Sequence, residues 1–211
     1  MLEAIARTVG EKGYAETSVQ DVLERAGVSS KTFYEHFADK RDCFLEAYDA
    51  VVRRVITAIN QAYAKPGRWP DRIRRGFRVF LHFFVLEPAL ARMAMVEVLA
   101  AGPEAIEHHQ TAIRGFIPYL EEGRRASRYR DHLPQNISEM TARGAAGIIY
   151  SRVAAGQTDQ LPAMLPDLLY FVLVPFTGSS EAAKAATRAR QEQTQHEVRD
   201  EQPAAARASR R

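Results

Sequence analysis

The chain has 211 residues, 46% of them hydrophobic and 26% charged, with a formal net charge of +3. That suits one large or two small domains with a real apolar core and excludes a disordered or collagen-like chain. The only cysteine, Cys43, excludes an intrachain disulfide framework and fits a reducing cytoplasm.

The N-terminus MLEAIARTVG lacks a basic region followed by a long apolar core, so no signal peptide is expected. Residues 168–176, among the longest apolar runs, fall well short of the roughly 18 residues a membrane helix needs. Cys43 stands beside Phe44 on an apolar-patterned helix and reads as a small core residue rather than a redox sensor.

Residues 2–12 read as a first helix, with Ile5 and Val9 inward and Gly13 as its stop; Tyr14 then packs back on the bundle. Thr17 can cap a second helix near residues 18–25, with Gln20 completing a capping box. Val19, Val22, Leu23 and Ala26 follow the spacing of one buried helix face. Gly27 can take a positive φ where the chain reverses, and Val28 plugs the corner. Ser29 caps a third helix near residues 29–36, which Phe33 and Phe37, four apart, lock against the second. Ser30, Lys31, Thr32, Tyr34, Glu35 and His36 are then left outside the core. Two helices joined by a tight turn, the second presenting hydroxyls and a lysine near its start, suit the major groove of duplex DNA.

The segments GYAETSV, AGVSSKTFYEHF and ADK resemble the DNA-binding domain of the TetR family of transcriptional regulators, over about 40 residues at the N-terminus. The resemblance implies an all-α fold: an N-terminal three-helix bundle with a helix-turn-helix, then a larger helical ligand-binding and dimerisation domain. It divides the chain into residues 1–46, residues 47–186 and a polar, disordered tail at residues 187–211. It places DNA contacts at Ser18, Ser29, Ser30, Lys31, Thr32, Tyr34, His36 and Lys40. Ser18 and Ser29 alone could be only caps, and His36 only a packed helix end; the whole constellation in register favours DNA contact.

Charge is unevenly spread. Residues 1–49 hold six Lys/Arg against ten Asp/Glu, a net of −4, while residues 50–180 carry +5 and residues 181–211 carry +2. DNA affinity must therefore come from local placement of Lys31, Lys40 and Arg41 and from helix dipoles, not from a general basic field. Family members often carry a basic arm before the first helix; here the chain starts almost inside that helix, so the arm is missing or lies upstream.

A long fourth helix follows, capped by Asp39, with Phe44, Tyr48, Val52, Val55, Ile59 and Tyr63 inward, ending by Pro66-Gly67. Further helices are expected at residues 70–86, 88–101, 104–126, 137–155 and 161–190, with a polar loop at 124–134. Arg72, Arg74, Arg75 and Arg78 read as a solvated helix face in preference to a second DNA surface. Residues 137–156 are rich in Ala and Gly, and the helix after them is apolar beyond what a small core requires. Both can be buried within one subunit; a two-fold four-helix interface fits better with a symmetric operator. In the family the middle helices enclose an effector pocket, which maps here onto Phe77, Phe80, Phe84, Met95, Phe116, Tyr119 and Tyr150, with His82, His109 and Arg152 as polar groups, suited to an apolar or amphipathic ligand.

The reading is thus a ligand-released homodimeric repressor on a palindromic operator, with no cofactor and no membrane partner. Glu104 and His108, four apart, could begin a metal site, but no second cluster completes one, so catalysis is not expected. The alternative is a helical dimerisation module that binds protein rather than DNA, supported by the acidic N-terminal region.

Overall fold

The computed structural model describes residues 1–201, with side chains to residue 195, and every regular element in that span is helical. The first three helices are α1 (Leu2–Lys12), α2 (Val19–Ala26) and α3 (Ser30–His36). α1 ends at Gly13, whose φ of 95° lies where an L side chain is strained. The cap of α2 corrects the sequence expectation. Thr17 is buried and its hydroxyl donates to Gly13 O at 2.7 Å, closing the turn after α1. Ser18 caps instead, accepting from Asp21 N at 3.1 Å, while the Asp21 carboxylate accepts from Ser18 N at 2.7 Å. An ionised carboxylate three residues after the cap makes the stronger reciprocal bond, so Asp21 displaces Gln20 from that role. Gly27 is left-handed at φ 66°, as expected. Ser29 caps α3, accepting from Thr32 N at 3.1 Å. Phe33 and Phe37 are buried, with ring centroids 5.4 Å apart.

Helix α4 (Lys40–Tyr63) opens at Asp39, which accepts from Asp42 N at 2.9 Å, and α5 (Trp69–Leu86) returns along it. The expected helix at 88–101 is α6 (Pro88–Met95) followed by a 3₁₀ turn, Glu97–Ala100. The expected helix at 104–126 is two, α7 (Pro103–Arg114) and α8 (Ile117–Ala126). The break falls at Gly115–Phe116, and Pro118, which has no N–H to continue the ladder, sits in the first turn of α8.

Two final helices were expected; three are present, α9 (Ile137–Ala154), α10 (Leu165–Thr177) and α11 (Ser179–Glu201), the last two separated by Gly178 at φ 81°. The polar segment from residue 187, expected either to extend the final helix or to be disordered, continues α11 to Glu201, and residues 202–211 lie outside the described residues. α11 has an apolar edge made of alanines, Ala182, Ala186 and Ala189, all buried. The segment Thr158–Thr177 is long and apolar enough by composition to match a membrane span. Here it includes 3₁₀ turns, and Leu165, Leu168, Leu169, Val172, Leu173 and Phe176 are buried in the core.

Most of the arginine cluster on α5 is tied into the fold and not free in solvent; Arg78 stays exposed. Arg72 bonds Glu122 and Tyr63 O, Arg75 bonds the carbonyls of Ala62, Lys65 and Pro66 at the end of α4, and Arg74 and Arg78 both reach Glu192 on α11. These guanidinium groups tie α5 to α4, α8 and α11.

The N-terminal bundle has no packing gap at residue 46. Its core is completed by Tyr48 and Val51 of α4 and by Leu90, Met93, Val98 and Ala105. Buried Cys43 belongs to this core, and burial pushes its thiol up to about 12, consistent with an inert packing residue. α1 and α6 approach so closely that a Cβ on Gly10 would lie 1.9 Å from Ala89 O. Glu87 takes Arg7 of α1 and Arg54 of α4, each at 2.9 Å. Buried Glu97 accepts from Tyr14 N at 2.9 Å and pairs with Arg92 at 2.8 Å. The first three helices are thereby fixed to α4 and α6.

Candidate nucleic-acid interface and interior cavity

α3 is anchored from beneath by Phe33, which has no exposed surface, and this leaves its outer face to solvent. Ser30, Lys31, Tyr34, Glu35 and His36 are exposed, and Tyr34 is 57% exposed, its ring edge-on to Phe33. The remaining four expected contact residues already have partners. Ser18 and Ser29 cap helices, and the Ser29 hydroxyl lies 2.9 Å from that of Thr32. Lys40 donates to the carbonyls of Tyr14 and Thr17 at 2.9 and 2.8 Å, with its ammonium over the Tyr14 ring. That lysine pins the turn between α1 and α2, and its reach outward is limited.

Three of the ten carboxylates of this region pair with its own cations. Lys12 pairs with Asp21 at 2.6 Å, Arg25 pairs with Glu11, and Arg7 pairs with Glu3 at 2.6 Å. Lys12 and Ser18 hold the Asp21 carboxyl far below the usual range, and Arg25 lowers that of Glu11. On α3 itself Glu35 is the one acid, set among Lys31, Tyr34 and His36.

The second half holds a partly open cavity of about 130 Å³ walled by α4, α5, α6, α7, α8, α9 and α10. Of the seven expected pocket residues, Phe77, Phe80, Phe84, Met95, Phe116 and Tyr119 line it. Tyr150 does not; it packs partly buried against the surrounding core. His82 is exposed, and Arg152 turns back to Gln157 at 2.7 Å, so neither serves the cavity. His109 does line it, with Nδ1 3.2 Å from the Tyr48 hydroxyl. Burial lowers the His109 pKa, opposed by a hydrogen bond to the Ala94 backbone, which favours the neutral ring in hydrogen-bond contact with Tyr48. Burial likewise raises the Tyr48 and Tyr63 hydroxyls. Sequence reasoning took Tyr48 and Tyr63 for plain core. Two hydroxyl-bearing tyrosines in an otherwise hydrocarbon inner stripe were the signal that this face of α4 also borders a cavity.

Glu104 and His108 do not act together: Glu104 lies 3.7 Å from Arg41, and His108 Nδ1 lies 2.9 Å from Asp49. Among the described residues no three His, Cys, Asp or Glu side chains converge as a metal site.

Residues 1–47 match the family model described as bacterial regulatory proteins, tetR family. Over 169 residues, 79% of this chain and 77% of the relative, the sequence is 29% identical to the HTH-type transcriptional regulator EthR of Mycolicibacterium smegmatis. The fold is similar to that of the transcriptional regulator FadR from Bacillus subtilis, solved with stearoyl-CoA (TM-score 0.71, 17% identity, covering 84% of this chain and 96% of that one). It is also similar to a gamma-butyrolactone receptor described as ArpA-like (TM-score 0.62, 21% identity, 90% and 95% covered). Residues 1–47 thus carry the helix-turn-helix of the tetR family of bacterial regulatory proteins, and the chain as a whole is similar in sequence to EthR and in fold to FadR.

Proposed function

We propose that the protein is a cytoplasmic repressor that binds a palindromic operator as a homodimer and is released by a small apolar ligand in the interior cavity. The observation that carries this reading is the outer face of α3, where Lys31 and a largely exposed Tyr34 surround a fully buried Phe33. An aromatic held out in water by a rigid scaffold, beside a lysine and a hydroxyl, suits phosphate and base-edge contact. Ser30, Lys31, Tyr34 and His36 are the direct contacts in this reading; Ser18, Ser29, Thr32 and Lys40 shape the surface that carries them.

Dimerisation is supported by apolar side chains left in solvent on two neighbouring helices: Met140 (63% exposed) and Ile148 on α9, and Tyr170 and Phe171 (41% each) on α10. Gly147 of α9 has open space where a Cβ would sit, whereas Gly144 is packed by the ring of Phe171 in the same chain. A two-fold axis through this surface would present two α3 helices to half-sites about one turn of DNA apart.

Release follows from linkage. α4 contributes Phe44 and Leu45 to the N-terminal core and Val55, Ile59 and Tyr63 to the cavity wall; α6 contributes Leu90 and Met93 to the first and Met95 to the second. A ligand that favours one placement of these two helices shifts the pair of reading heads and lowers operator affinity. FadR of Bacillus subtilis, solved with stearoyl-CoA, is a structural neighbour that takes a ligand with an apolar chain.

The test is a gel shift on the DNA upstream of the protein's own coding sequence, with Lys31→Ala and Tyr34→Ala beside wild type, paired with a promoter-reporter assay. Selective binding lost in both variants, and reporter expression raised on deletion, is expected. Wild-type binding without sequence preference, or at wild-type strength in both variants, would overturn the proposal in favour of a protein-interaction role.

A further inference from the structure

Resting on the reading of the cavity as the effector site, we infer that the ligand is an uncharged, unbranched chain molecule, of the class of a fatty alcohol or neutral lipid chain, and not an ionised or fused-ring compound. Two observations carry this, one of charge and one of shape.

No Asp, Glu, Lys or Arg lines the cavity, and none of its lining residues is classed as exposed. Its ionisable groups are three tyrosines and His109; burial raises the pKa of each tyrosine and lowers that of the histidine, so all are uncharged. The nearby cation Arg72 is committed to Glu122 and to Tyr63 O, with its guanidinium stacked on the Tyr63 ring. A carboxylate or ammonium drawn between these walls would meet no counter-charge among them and would lose hydration. A hydroxyl, ether or ester group has partners at both ends. Tyr48 and His109 stand at one, and the Tyr119 hydroxyl, which donates to Asn60 Oδ1 at 2.6 Å, stands at the other.

The shape is narrow. Lining positions run along α4 from Tyr48 to Tyr63, about 22 Å at 1.5 Å per residue. Yet the volume is about 130 Å³, below the roughly 150 Å³ of an engineered cavity that holds benzene. Space that long with so little volume is a thread between Phe77, Phe80, Phe84 and Phe116. A methylene chain fills such a thread at ordinary contact distance, whereas a fused-ring body must displace several aromatic rings.

The experiment uses the full-length protein and three probes: 1-dodecanol, dodecanoate at neutral pH, and progesterone as a neutral fused-ring molecule. Binding is read by calorimetry and by shift in Tm without DNA, then by release of operator DNA. The inference predicts that dodecanol raises Tm and binds at least about tenfold more tightly than dodecanoate or progesterone, because only it enters without burying a bare charge or forcing the walls apart. Ala146→Phe, which fills the lining from α9, is expected to abolish the dodecanol shift; Ala112→Phe on α7 serves if the first variant does not fold. Dodecanoate binding as tightly as dodecanol would overturn the charge argument, tighter progesterone binding would overturn the shape argument, and binding of none of the three would overturn both. Dodecanol binding that leaves operator affinity unchanged would sustain the ligand class and overturn the effector reading, so the two failures are distinguishable.

Discussion

Gly10→Ala sets two physical effects of opposite sign against each other. Gly10 lies inside α1, where replacing glycine by alanine normally stabilises a helix by about 1 kcal/mol. Here the added Cβ would sit 1.9 Å from Ala89 O and 2.5 Å from Ala89 C. Those atoms are backbone in the first turn of α6 and cannot rotate away, so α1 and α6 must separate. Forced overpacking in a closed core costs up to about 3 kcal/mol, and this contact belongs at the upper end of that range. The net expectation is a loss of about 2 kcal/mol, or roughly 4–8 °C in Tm for a chain of this size. Because the same contact sets the angle of the first three helices to the rest, operator affinity should fall further than the loss of folded protein explains. Urea unfolding with a check on the m-value gives the first quantity, and anisotropy of a labelled operator gives the second. A variant as stable as wild type, or more stable, would refute the close approach of α1 and α6 and the coupling argued from it.

Glu87→Gln keeps the shape but removes the charge that holds Arg7 and Arg54; a loss of about 1 kcal/mol is expected in thermal unfolding, shrinking with added salt because Arg54 is half-exposed. His109 has a folded pKa lowered by burial, so the unfolded chain binds the extra proton first. Stability from this group is therefore complete above the unfolded value of about 6.5 and declines as pH falls through it, and His109→Gln should flatten that part of a Tm-against-pH curve. Phe171→Asp places a charge in the exposed apolar face of α10 and should give a folded monomer in sedimentation, with wild type expected to sediment as a dimer; a dimeric variant would move the interface elsewhere.

The helix-turn-helix was readable because local chemistry decides it. Gly27 in the left-handed region, Ser29 at a cap and the Phe33–Phe37 pair act within a few residues of one another. The choice of Ser18 over Thr17 as the cap of α2 was not readable, since it depends on whether Thr17 turns inward to Gly13 O. The α7–α8 break did have local signals in Gly115 and Pro118, and these outweigh the continuous apolar pattern across them. The break at Gly178 that separates α11 from α10 was missed, because the expected helix over 161–190 ran through it; α11 is held by its alanine edge and by Arg68 to Glu181 at 3.3 Å and Arg188 to Asp71 at 3.3 Å, pairs more than a hundred residues apart in sequence. The same distance hid the roles of the α5 arginines and of Lys40, whose partners lie in turns and carbonyls that no motif encodes. The aromatic cavity residues were placed by the family resemblance and not by type or spacing, while Tyr150 fell off the wall because helix rotation, set by packing, decides which way a side chain faces.

The central claim is that α3 reads operator DNA, with Lys31 as a phosphate contact in each half-site. The most direct measurement is the dependence of operator affinity on salt, by anisotropy, for wild type and Lys31→Ala. The account predicts a steep wild-type slope in log K against log salt, and a variant slope shallower by about two, since each lost phosphate contact on duplex DNA contributes about 0.9 and a dimer carries two. Equal slopes for the two proteins, with equal affinity, would contradict the account and remove α3 from the DNA-reading role.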